Sequence, residues 1–161
     1  MSAGFVDPSD VVLALDNQFC FALHSAARRM ERAYQPVLAS FDLTYPQYLV
    51  MLVVWEWETT RHPRPTVRAL GERLDLDSGT LTPLLRRLEQ KGLLSRARST
   101  DDGRELFVRV TSRGAALKKK VSAVPMMMLT NSPLPLMELV ALREQLKRLR
   151  GGMTSTHARG D

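Results

Sequence analysis

The chain has one cysteine in 161 residues. That lone thiol, Cys20, excludes an intrachain disulfide and any cysteine-rich zinc site. Histidine is almost as scarce. His24, His62 and His157 stand far apart, so no metal-ligand cluster is expected. Long apolar runs are missing, as is a basic-then-apolar leader, so neither a membrane span nor a signal peptide is expected and the cytoplasm is the expected compartment. There is no phosphate-binding loop, no dinucleotide fingerprint and no pair of catalytic carboxylates. The expectation is therefore a protein with no cofactor that is not an enzyme.

What is present is ordinary in bulk and uneven in detail. Apolar residues make up 44% and charged residues 25%, as in a soluble globular protein, and the length suits one domain with a real core. The charge is concentrated. Between Arg61 and Lys120 stand fifteen Lys or Arg against seven Asp or Glu, an excess of eight, whereas the rest of the chain is net −2. A local cationic surface is what a polyanion needs as a partner.

The same stretch carries the clearest pattern. Thr66 can cap a short helix with Val67, Leu70 and Leu74 inward, and Asp77 or Ser78 can cap a second. In the second helix Leu81, Leu84, Leu85 and Leu88 share one face at amphipathic spacing. Gly79, Pro83, Arg86 and Gln90 face away, with Thr80, Thr82 and Arg87 on the flanks, and Gly92 ends the helix. A hairpin follows. Leu94 to Arg98 and Leu106 to Thr111 alternate in character around the polar turn from Ser99 to Arg104, where Gly103 can take positive φ. Two short helices and a basic ribbon predict a winged helix-turn-helix. Ser78, Thr80, Thr82, Arg86 and Arg87 are its candidate contacts to a major groove and its phosphates, and Arg104 at the ribbon tip is the candidate for a minor groove. The plainer alternative is a helix pair with a solvated charged face.

The flanks are helical. From Asn17 a long helix places Cys20, Leu23, Ala27, Met30, Tyr34, Val37 and Phe41 at alternating steps of three and four, the period of a helix-packing seam. Pro36 should kink it or end it late. Such a seam is either deep core or a subunit interface. Thr44-Tyr45-Pro46-Gln47 reads as a capping box opening a helix through Tyr48, Leu49, Leu52, Val53 and Trp57. His62-Pro63-Arg64-Pro65 reads as a rigid link. Beyond the ribbon, Thr111 or Ser112 starts a helix with Lys118, Lys119 and Lys120 exposed, Pro125 and Met126 to Met128 mark a bend, and Ser132-Pro133 starts a last helix with an apolar face from Leu136 to Leu149. Residues 1 to 15 read as a loose lead-in in which Pro8-Ser9-Asp10 can start a brief helix, and residues 151 to 161 as a frayed tail. The expected architecture is mainly α with a small β-hairpin wing, one domain over 1–161. Residues of about 16–60 and 112–150 form dimerisation helices, and about 61–111 the winged module. The helical ends hold more apolar surface than a small wing domain needs, so a homodimer reading a two-fold operator in double-stranded DNA is expected.

This layout resembles the MarR family of dimeric bacterial transcription regulators over roughly Asp16 to Leu149. The stretch Arg98-Ser99-Thr100-Asp101-Asp102-Gly103-Arg104 is similar to that family's wing signature. Four blocks, Leu15 to Leu23, Tyr34 to Pro36, Leu43 to Leu49 and Leu76 to Leu84, resemble the narrower OhrR subfamily, whose members repress organic hydroperoxide resistance genes and leave DNA when a reactive cysteine is oxidised. The resemblance implies that Cys20 is the sensing thiol and that Tyr34 and Tyr45 are the tyrosines whose hydroxyls reach it from the partner subunit. Donors aimed at a sulfur favour its nucleophilic thiolate. On the residues alone, Cys20 reads first as a small filler on a helix seam and the tyrosines as core. His24 departs from the subfamily, standing where another tyrosine is usual. The second cysteine of two-cysteine members is also missing, which implies a one-cysteine route with organic hydroperoxide and a small thiol as reactants. Two other readings compete: a MarR-type repressor released by a small phenolic ligand, and a thiol peroxidase using Cys20.

Overall fold

The computed structural model of the chain describes residues 8–98 and 105–153, in two compact units that divide between Ser122 and Ala123. The first unit is built around one helix. Thr44 caps α3 (Tyr45–Thr60) by the expected capping box: its hydroxyl accepts from the Gln47 N–H at 3.4 Å, and Gln47 Oε1 accepts from the Thr44 N–H at 3.2 Å. With Pro46 in the first turn, these bonds satisfy or remove the donors that a helix start leaves open. The expected inward set was too narrow. Gln47, Tyr48, Val50, Met51, Val53, Val54, Trp55 and Trp57 are all buried, while Leu52, placed inward from the sequence, is exposed. A helix that is apolar almost all round has no stripe to find, because other elements cover it on several sides.

Those elements arrive as the sequence directs. A brief α1 (Pro8–Leu13) and a 3-10 turn lead into α2 (Phe19–Ala39), which runs through Pro36 for one last turn before ending. A rigid link leaves α3: His62 stacks on Trp57 at 4.8 Å, and its Nδ1 accepts from the Arg64 N–H at 3.2 Å. Thr66 caps α4 (Val67–Leu74), Asp77 caps α5 (Ser78–Gln90), and Gly92 at φ 66 turns the chain into the ribbon. Strands β1 (Leu94–Arg98) and β2 (Leu106–Val110) pair antiparallel, with Leu94 opposite Val110. One feature escaped the sequence reading. Thr66 bridges to Phe107, and Pro65 O accepts from the Val108 N–H at 2.7 Å, so the link to α4 acts as a fragment of a third strand.

Thr111 then caps α6 (Ser112–Val121). The close approach here explains Gly114. A Cβ at that position would lie 2.0 Å from the Leu93 carbonyl oxygen, and the Gly114 carbonyl itself accepts from Trp55 Nε1 at 3.0 Å. Lys118, expected to be merely exposed, reaches back to donate to Thr59 Oγ1 at 2.8 Å at the end of α3.

The second unit holds α7 (Val124–Thr130) and α8 (Leu136–Gly152). The bend expected at Pro125 is a short helix, since proline in a first turn costs no hydrogen bond. The last helix begins at Leu136, a few residues beyond Ser132-Pro133, and continues to Gly152, into the expected tail. None of its residues is buried in a single chain, and Leu136, Met137 and Leu142 stand exposed. No helix among the described residues is long and apolar enough to cross a membrane.

Candidate nucleic-acid interface and thiol site

The nucleic-acid face rests on how α5 starts and what it buries. The Asp77 carboxylate accepts from the Thr80 N–H and the Thr80 hydroxyl, both at 2.9 Å, and the Thr80 N–H bond is the chief reason the Asp77 carboxyl is held below the usual carboxylate range. Leu81, Leu85 and Leu88 anchor the helix in the core, with Leu81 and Leu85 toward the chain's interior and Leu84 half-buried. That leaves Ser78, Thr80, Thr82, Arg86 and Arg87 together on the exposed side. Thr80 is partly committed, because its hydroxyl proton goes to Asp77 and only its oxygen lone pairs remain for another partner. Arg104 lies outside the described residues.

The ribbon's cations are not equivalent. Arg98 and Arg109 are exposed, but Arg96 turns inward to pair with Glu89 of α5 at 2.6 Å, leaving its Nε buried without a partner. Arg64 pairs with Glu105 at 2.7 Å at the foot of β2. These two ion pairs tie the wing to the recognition helix and to the link, so they fix geometry rather than supply free charge.

The thiol candidates fall at two places on α2. Cys20 and His24 are exposed near its start, one turn apart. Tyr34 lies near its end, about 21 Å farther along the axis at 1.5 Å per residue. Cys20 and Tyr34 of one chain therefore cannot meet. Tyr34 and Tyr45 do meet, with ring centroids 5.0 Å apart, where α2 reaches the first residue of α3. Tyr48, one turn beyond Tyr45, joins them at 6.1 Å from Tyr34. In sequence Tyr48 stands out only as a residue of this helix; its three-residue step from Tyr45 on a capped helix is the signal that brings it to the pair. Burial pushes all three phenols above an ordinary titration that already lies well above neutral pH, so each is a donor there.

The expected seam also resolves. Cys20, Leu23, Ala27 and Met30 are exposed in a single chain, Tyr34, Val37 and Phe41 are half-buried, and the buried residue is Leu38, beside the seam. Deep core is thereby excluded for the first half of the helix. Beside the tyrosines opens a groove of about 710 Å³ whose wall includes Arg28, Arg32, Tyr45, Arg87 and Lys91. Arg28 and Arg32 drew no notice as sequence, since a charged helix face is usually just solvated.

Known proteins share this fold. The family model described as transcriptional regulator SarA/Rot matches residues 32–121. The chain is 47% identical over 113 residues to the organic hydroperoxide resistance transcriptional regulator of Bacillus subtilis, covering 70% of this chain and 74% of that one. It is 44% identical over 146 residues to the HTH-type transcriptional regulator TtmR of Methylorubrum extorquens, covering 91% and 71%. Among solved structures, reduced AbfR bound to DNA superposes with a TM-score of 0.69 at 34% identity, covering 89% of this chain and 96% of that one. AbfR, a Staphylococcus epidermidis protein, has also been solved overoxidised on DNA and with a disulfide formed. By its fold, its exposed recognition helix and these likenesses, the chain belongs to the MarR-type winged-helix transcriptional regulators, alongside those of organic hydroperoxide resistance.

Proposed function

We propose that the protein is a homodimeric, cytoplasmic repressor that holds operator DNA until an organic hydroperoxide oxidises Cys20. The observation that carries this reading is the Tyr34–Tyr45 ring pair at 5.0 Å in a chain this similar to a regulator of organic hydroperoxide resistance. Cys20 is exposed on an apolar seam too far from its own tyrosines, so the pair on one subunit serves the thiol of the other. Ser78, Thr80, Thr82, Arg86 and Arg87 meet the major groove and its phosphates, and Arg104 the minor groove.

The chemistry follows from the groups. The Cys20 thiolate attacks the outer peroxide oxygen, the O–O bond breaks, and the alcohol leaves after taking a proton; sulfur is left as sulfenic acid. A small thiol then displaces water to give a mixed disulfide. Lost charge and added bulk disturb the phenol hydrogen bonds, α2 and α3 shift, and the two recognition helices no longer match the operator spacing. Moving such a switch from 1:99 to 99:1 takes about 5.5 kcal/mol of differential stability. The reaction is stoichiometric, one event per thiol, so the protein is a sensor and not a peroxidase.

A second reading has its own observation. The groove bearing Arg28, Arg32, Tyr45, Arg87 and Lys91 has room for a small anionic phenol, whose binding would release DNA with Cys20 a bystander. One experiment separates the two. Release of a labelled promoter fragment is followed on adding cumene hydroperoxide, hydrogen peroxide or salicylate, with wild-type protein and Cys20→Ser. Release of wild type by cumene hydroperoxide and retention by Cys20→Ser is the expected result. A Cys20→Ser protein that still releases DNA in peroxide sinks the thiol reading, and release by salicylate alone installs the second.

A further inference from the structure

The recognition helix ends on a side chain that reaches across to the start of α3. Lys91, the residue that closes α5, donates its ammonium to the Asp42 backbone carbonyl and lies 3.1 Å from the Asp42 carboxylate. The same ammonium donates to Gln47 Oε1 at 3.3 Å. Gln47 is 2% exposed, and that oxygen also accepts from the Thr44 N–H at 3.2 Å as half of the capping box. Between Thr44 and Gln47 sits Tyr45, the first residue of α3, with its ring 5.0 Å from that of Tyr34. Asp42 is held at φ 55 in the tight turn that joins α2 to α3. One side chain of α5 is thus bonded at once to the α2–α3 turn and to the cap of the helix whose first residue is Tyr45.

On the far side of Lys91 stands Gly92 at φ 66, the joint between α5 and β1. A displacement of Tyr45 that carries its backbone along moves the first turn of α3 as a unit, because both cap bonds hold that turn together. The oxygen that accepts in the cap is the oxygen Lys91 holds. A shift of a few tenths of an ångström there is passed to the end of α5 through the ammonium's bonds to Gln47 and Asp42, and the helix has a glycine joint about which to turn. The apolar route through Leu85 and Leu88 also touches the core, but packed apolar contacts do not carry direction as a bonded pair does.

We infer that Lys91 is a positioning residue that transmits displacement of the Tyr34–Tyr45 pair to the recognition helix through Asp42 and Gln47. This rests on the peroxide-sensing reading and adds to it the element that joins sensor to reader. In the proposed chemistry Lys91 takes no part at the thiol, and its side chain is partly exposed, at 25%.

The test uses the full-length protein, a labelled promoter fragment and cumene hydroperoxide with a small thiol. Two quantities are measured for each variant: the extent of Cys20 modification by intact mass, and the ratio of operator Kd in the fully modified and the reduced forms. Lys91→Met keeps the aliphatic stem and removes the donors. Its Cys20 should be modified to the wild-type extent, while the Kd ratio falls by about tenfold, within the usual range of coupling between sites. Lys91→Arg, which can donate to the same oxygens, should restore most of the ratio. Asp42→Asn removes only the ion pair, tolerates the turn's positive φ and should lower the ratio less. A purely structural Lys91 would change stability and leave the ratio alone. Wild-type ratios in both Lys91→Met and Asp42→Asn overturn the inference, as does a Lys91→Arg ratio no better than that of Lys91→Met. Slower modification of Cys20 in Lys91→Met places the residue in the thiol pocket and also overturns it. Wild-type protein that is fully modified yet holds DNA overturns the peroxide-sensing reading, and the relay with it.

Discussion

Helices α2 and α3 are neighbours in sequence, similar in length and both rich in apolar residues, yet the fold treats them oppositely. Eight residues of α3 are buried and only Leu38 of α2 is. In α3 the apolar residues surround the helix, so the chain's own elements can cover them. In α2 they lie on one seam, most of which a single chain leaves in water, and Cys20 sits on that exposed part. A helix left for a second subunit to complete makes any pocket around Cys20 depend on how two subunits sit together. The buried core is concentrated in α3 and the exposed apolar seam in α2.

The contrast is broken most directly by truncating each helix. Met51 is fully buried in α3, so Met51→Ala should cost about 2–5 kcal/mol at any protein concentration. Leu23→Ala on α2 should instead lower the melting temperature chiefly on dilution, where dimer stability matters. Thermal melts at two protein concentrations check this, and equal losses at both would place α2 in the folding core.

The same division recurs between adjacent residues of α5. Arg86→Ala should leave the melting temperature unchanged, cost about 1–3 kcal/mol of operator binding if it reads a base, and flatten the salt dependence by about one unit if it meets a phosphate. Leu85→Ala should do the reverse, losing stability while the salt slope stays. Titrations of a promoter fragment at several salt concentrations, beside melts, separate the two.

Where α2 meets α3, Tyr45→Phe keeps the ring and removes the donor. Oxidation of Cys20 should slow by about tenfold, roughly the 1–1.5 kcal/mol of one hydrogen bond, with reduced-state DNA binding intact. Stopped-flow oxidation measures it, and an unchanged rate would return Tyr45 to a packing role. Thr44→Ala removes one half of the capping box and should cost about 1 kcal/mol, read from chemical denaturation.

The smallest expected effect is the acid limb of DNA binding. Because the folded Asp77 carboxyl titrates below its ordinary range, its cap stabilises α5 above the unfolded carboxylate value and is lost as pH falls through the lowered folded value. Binding should therefore hold steady across neutral pH, and the part due to α5 should fade only in acid, a limb that Asp77→Asn abolishes.

Local chemistry was legible wherever a residue acts on its own few neighbours. Thr44, Thr66, Asp77 and Thr111 cap helices because a side-chain oxygen reaches a donor three residues on, and Gly92 follows α5 because glycine takes the left-handed turn at no steric cost. The amphipathic face of α5 and the register-ready ribbon followed from spacing. The inward set of α3 did not, because a helix covered from several directions has no period to read. Arg96 looked like one more free cation of the ribbon until the fold brought Glu89 to it. Tyr48 and Lys91 look like core and surface until distant segments are folded together.

By itself the sequence determined the element types, their caps, the basic winged module and the single thiol, since each of these is a property of residues within a turn or two of one another. Tertiary structure alone decided that the seam of α2 lies open, that three tyrosines gather at one helix junction, and that Lys91 is bonded to the cap beside them. Those are contacts between residues far apart in the chain, and no local pattern encodes a distance that only packing sets.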